Sequence, residues 1–209
     1  MDEQVKPRLT LPDVWAGGHY ALKLCLGSAS EAQLQAALEA IWRYPELRGP
    51  FAYRNKEPLR QAILPVDAPH DQLFGAMRIR DKFVPCGTIA VREEDDLGER
   101  TADFITLYSP MGALSQVFPV GSYPFGSWDA APEWRAEVDG WFLEMLRSQR
   151  EVLSFEVGKI GFEVEMNAMR AGKLKSGRMP AERFDGIVIP GENEIEWYPT
   201  TRFDLFHLQ

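Results

Sequence analysis

The chain has 209 residues, 31 acidic against 23 basic side chains, a formal net charge of −8 and a pI near 5.0. Such a surface repels a phosphate backbone and anionic lipid, which argues against nucleic acid and membranes as partners. A hydrophobic share of 45% with 11% aromatic residues is enough for a packed core, and no apolar run approaches the ~20 residues that span a bilayer.

The length suits one globular domain over residues 1–209, with residues 1–14 as an N-terminal arm interrupted by Pro7 and Pro12. The first ten residues are polar and begin acidic, unlike a secretory leader, so the expected setting is cytoplasmic. Cys25 and Cys86 lie far apart and are read as free thiols.

Residues 20–26 alternate, with Tyr20, Leu22, Leu24 and Leu26 on one face of a predicted strand. Ser28 with Glu31, or Ser30 with Gln33, has capping-box spacing, so a helix should start there. Its apolar positions are Leu34, Leu38, Ile41 and Trp42, and Pro45 ends it. Between Gly49 and Phe83 the prolines leave only short strands, around residues 51–54 and 75–80. Residues 87–91 and 103–108 form a predicted hairpin, joined by a loop containing Glu93, Glu94, Asp95, Asp96 and Glu99.

A second helix begins near Pro132 and carries Trp134, Val138, Trp141, Phe142, Met145 and Leu146 in one apolar stripe. Beyond it, Ile160, Phe162, Val164 and Met166 alternate with Gly161, Glu163 and Glu165, which predicts a strand carrying two carboxylates on one face. Residues 186–189 and 194–198 read as a last hairpin around Pro190 and Gly191. The expected fold class is α+β, a mostly antiparallel sheet with two main helices packed on one face and in part ferredoxin-like halves.

No metal-ligand spacing links His19, His70 and His207 to one another or to the cysteines, and Pro85-Cys86-Gly87 lacks the other parts of a zinc deaminase site. Neither a phosphate-binding glycine loop nor a nucleophile elbow occurs, so no metal or cofactor is expected. Three weaker features are left. Glu163 and Glu165, if covered, would form a catalytic acid/base pair or a hard-cation site. Tyr123, Phe125 and Trp128 lie in an aromatic, turn-rich stretch suited to a binding surface. Arg170, Lys173, Lys175, Arg178 and Arg183 form a basic cluster suited to an anionic ligand or acidic partner.

On these grounds the favoured reading is a non-catalytic binding or protein-interaction domain, whose acidic surface suits a basic partner. The alternative is a small-molecule enzyme or sensor with an acidic pocket around Glu163 and Glu165. The many aromatic residues also leave apolar surface for a homodimer.

Overall fold

The computed structural model describes residues 10–56, 60–66, 72–121, 132–192 and 194–202. Their strands form one eight-stranded antiparallel sheet in the order β2-β3-β4-β5-β1-β6-β7-β8. The strands are β1 (His19–Gly27), β2 (Leu47–Phe51), β3 (Gln72–Ile79), β4 (Lys82–Glu94), β5 (Arg100–Pro110), β6 (Val157–Phe162), β7 (Gly186–Pro190) and β8 (Ile195–Tyr198). The helices are α1 (Glu31–Trp42), α2 (Met111–Leu114), α3 (Glu133–Gln149) and α4 (Ala168–Lys175), and a 3-10 turn over Pro12–Trp15 buries Val14. No helix among the described residues is long and apolar enough to cross a membrane.

The fold is α+β, as expected, and its centre has a ferredoxin-like strand order. β1, α1, β4, β5, α3 and β6 follow one another in the chain, while in the sheet β1 lies between β5 and β6. β5 and β6 are thus parallel strands joined through α3 across an inserted antiparallel strand, a split βαβ. The hairpins β2-β3 and β7-β8 widen this unit at its two edges.

Both main helices cover one face of the sheet. Tyr20, Leu22 and Leu24 point into that layer and meet Leu34, Leu38 and Ile41 of α1 and Val138, Phe142 and Met145 of α3, all buried in one apolar cluster. Ser30 caps α1, accepting from the Gln33 backbone N–H while the Gln33 side chain accepts from Ser30, so the second of the two capping pairs forms.

The opposite sheet face is covered in part by α4, which buries Ala171 and Leu174 against Cys25, Phe104, Val157 and Ile187. The Asn167 side chain caps this helix, and Glu93 of β4 accepts from Ala168 N–H at 2.9 Å, fastening it to the sheet. Cys25 and Cys86 are free and buried in different clusters on the two faces.

β3, β4 and β5 extend beyond the expected 75–80, 87–91 and 103–108, and two further strand boundaries differ for local reasons. β6 stops at Phe162 instead of continuing to Met166, because Glu163 turns away with φ +47. β2 begins at Leu47 and includes Pro50, tolerated because β2 is an edge strand.

Candidate functional site

The most developed polar constellation lies between the start of α3, β1 and the chain after β8. Tyr20 enters from the central strand and is fully enclosed at 1% exposure. Its hydroxyl donates to Asp139 Oδ1 at 2.6 Å and accepts from Arg135 Nε at 2.8 Å. Arg135 Nη2 also donates to the Phe184 carbonyl and the Thr200 hydroxyl, at 2.9 and 2.8 Å, which ties the C-terminal segment to α3.

Helical spacing explains why these groups meet. Trp134, Val138, Phe142, Met145 and Leu146 fill the core, while Arg135, Ala136, Asp139, Gly140 and Leu143 occupy the adjoining stripe, which faces β8. Together with Trp197, Pro199 and Thr200 they line a cleft of about 240 Å³. Trp197 can take its place because Gly186 of the neighbouring strand has no Cβ: a methyl there would overlap the indole ring.

Burial dominates the electrostatics. It pushes the Asp139 carboxyl up from 3.8 to about 6, against the lowering pull of the Tyr20 hydrogen bond and the Arg135 charge. Burial and the Asp139 charge push the Tyr20 phenol well above its ordinary value, so it remains a donor at neutral pH. No second hydrogen bond reaches Asp139 from the described residues, and its other oxygen is not sealed inside the protein. Asp139 thus lines the cleft, among mostly apolar walls, with acceptor capacity that the described residues leave unused.

Gly140 is the other unusual member. It interrupts the longest helix, yet a Cβ built on it would meet nothing within 4 Å. A helix-interior glycine costs ~1 kcal/mol relative to alanine, and packing among the described residues gives no reason for it here.

Against known family models, curated proteins and solved structures, the chain finds no match.

The carboxylate pair expected at Glu163 and Glu165 does not share a strand face, since both residues lie beyond the end of β6. Glu163 Oε1 accepts from the His19 backbone N–H at 2.8 Å and sits 3.3 Å from His19 Nδ1, so it fastens the entry to β1. Glu165 is exposed and its carbonyl accepts from Lys159, which also pairs with Asp185 at 2.7 Å.

The basic residues are spread over separate structures. Arg170, Lys173 and Lys175 are exposed on α4, Lys175 paired with Glu156, and Arg178 is exposed just beyond the helix. Arg183 is used internally, donating to the Pro180 and Pro199 carbonyls. Tyr123, Phe125 and Trp128 lie outside the described residues, as do His70 and His207. Among the described residues no group of three His, Cys, Asp or Glu side chains could hold a metal ion.

Sequence reasoning missed Tyr20, Arg135 and Asp139. Tyr20 alternates with leucines and reads as core, and Arg135 with Asp139 reads as an exposed i,i+4 pair. The signal available was Gly140, a glycine in the middle of the clearest helix.

Proposed function

We propose that this chain is a small-molecule-binding protein whose ligand occupies the cleft between α3 and β8. The observation that carries the reading is the Asp139 carboxylate, held by a buried tyrosine at the lining of an apolar cleft. A perturbed ionisable group converging with apolar walls is the usual signature of a ligand site. Arg135 acts within the protein, orienting Tyr20 and anchoring the segment that forms the far wall. The cleft volume lies just below the ~300–1,000 Å³ of drug-sized sites, which limits the ligand to a small one. A cytoplasmic setting is in keeping with two buried free cysteines.

Native mass spectrometry of the freshly purified full chain, wild type beside Gly140→Leu, tests this reading and reports the oligomeric mass. A leucine there fills the cleft without entering the core. The expected result is a low-mass ligand retained by the wild type and lost from the variant. Equal retention by both would locate the ligand elsewhere and overturn the reading.

A second observation favours a protein partner. Among the described residues β3 pairs with β4 as far as Ile89 and β1 with β5 as far as Asp103, and the β4-β5 hairpin continues past both. Its tip exposes Glu94, Asp95, Asp96 and Glu99 around Leu97, which is 85% exposed. An acidic, apolar-tipped ribbon suits a basic protein surface. Pull-downs comparing the wild type with a Glu94→Gln, Asp96→Asn, Glu99→Gln variant test it: this reading expects a partner lost on neutralisation, and capture of the same partner by both would contradict it.

A further inference from the structure

Resting on the cleft as a ligand site, we infer that its ligand is a small organic amine in its ammonium form, with an alkyl or aryl body, bound to Asp139 through an N–H donor. Three features point to this class. Next to the carboxylate, the Tyr20 hydroxyl donates to Asp139 itself, and the Arg135 nitrogens named above go to Tyr20, Phe184 and Thr200. Asp139 therefore has acceptor capacity that the described residues do not fill, and the ligand must bring the donor.

Charge decides which donor. A carboxylate removed from water without an adjacent cation is costly, and an ammonium neutralises it where a hydroxyl only hydrogen-bonds. The Arg135 charge acts on Asp139 only across Tyr20, with no ion pair between the two within 4 Å, so direct contact of a cation with the carboxylate is left to the ligand. An anionic ligand would meet the Asp139 charge with Arg135 already committed to other partners.

The walls supply the rest. Trp197 presents an aromatic surface that attracts a cation or packs a ring, and Leu143 and Pro199 offer apolar contact for the body. Gly140 leaves open the space a side chain would take, and none of the described residues comes within 4 Å of a Cβ there. That vacancy on the helix is where the ligand body has room to lie.

The test uses benzylamine, benzyl alcohol and benzoate, which share a ring and differ in the polar group, titrated into the ¹⁵N-labelled full chain at neutral pH. Wild type, Asp139→Asn and Gly140→Leu are compared by amide shift changes. Benzylamine is expected to shift amides of residues 135–143 and 195–200. Its affinity should fall about tenfold or more in Asp139→Asn, the usual worth of a charge-assisted hydrogen bond, and be lost in Gly140→Leu. Benzyl alcohol and benzoate should bind more weakly. If benzyl alcohol binds as tightly, or benzoate more tightly, at those amides, the amine class is overturned while the cleft stands as a ligand site. If none of the three shifts those amides, the amine class is also overturned. The mass comparison of wild type and Gly140→Leu then decides separately whether the cleft reading falls with it.

Discussion

The Tyr20 hydroxyl and the Asp139 carboxylate meet at 2.6 Å, joining the central strand of the sheet to its longest helix. Asp139 has its folded value raised from 3.8 to about 6, so the folded chain holds this proton more tightly than the unfolded one does. The group's contribution to stability is full below about pH 4 and is lost as pH rises through about 6. At neutral pH the ionised side chain thus lowers stability, by at most on the order of 3 kcal/mol. Asp139→Asn keeps an acceptor for Tyr20 and removes the charge. Urea unfolding from pH 4 to 8 should show the variant gaining on the wild type as pH rises from about 4 to about 7, by ~1–3 kcal/mol. A difference between the two that is flat with pH would contradict the burial of this carboxylate.

Gly140→Ala gives the same kind of result without charge. A Cβ there meets nothing within 4 Å, so the substitution should recover the helix-propensity deficit and stabilise the chain by ~1 kcal/mol. Thermal melting checks the sign. A lowered Tm would mean that the space beside Gly140 is occupied within the protein and is no cleft.

Trp197 depends on its neighbour strand in the opposite sense. Gly186→Ala places a methyl inside the indole, forcing the ring off its seat. Overpacking of this kind costs ~1–3 kcal/mol. Chemical denaturation should show that loss, and the indole N–H resonance of Trp197 should move. An unchanged resonance and midpoint would contradict the stacking of Trp197 on Gly186.

Asp103 sits at the other end of the sheet and is wholly buried, at 0% exposure. It accepts from Ala29 N–H at 2.9 Å and from Arg100 Nε at 2.9 Å, fixing the turn before α1 to the β4-β5 hairpin. Asp103→Ala leaves the Arg100 guanidinium and the Ala29 amide without their acceptor and should cost ~3–5 kcal/mol. Urea unfolding measures this, and a loss below ~1 kcal/mol would show the carboxylate to be dispensable.

Local rules account for what the sequence disclosed. Ser30 with Gln33 marked the start of α1, and the apolar stripe from Trp134 to Leu146 marked α3, because capping and amphipathic spacing act over a few residues. α4 was hidden because its two buried residues, Ala171 and Leu174, stand among Arg170, Lys173 and Lys175 and read as a basic loop. The strand drawn through Glu163 and Glu165 failed at one backbone angle, since Glu163 takes a positive φ and its carboxylate binds the amide of His19, 144 residues earlier. The cleft was illegible for a similar reason. Its groups come from β1, α3, β8 and the chain after it, and only the sheet order brings Tyr20, Asp139 and Trp197 to one corner.

A small-fragment screen read by amide shifts on the ¹⁵N-labelled wild type decides whether that corner binds ligands. The prediction is that hits concentrate on residues 135–143 and 195–200, favour fragments with an N–H donor and an apolar body, and disappear in Gly140→Leu. Hits that gather elsewhere, or that persist unchanged in Gly140→Leu, would contradict it.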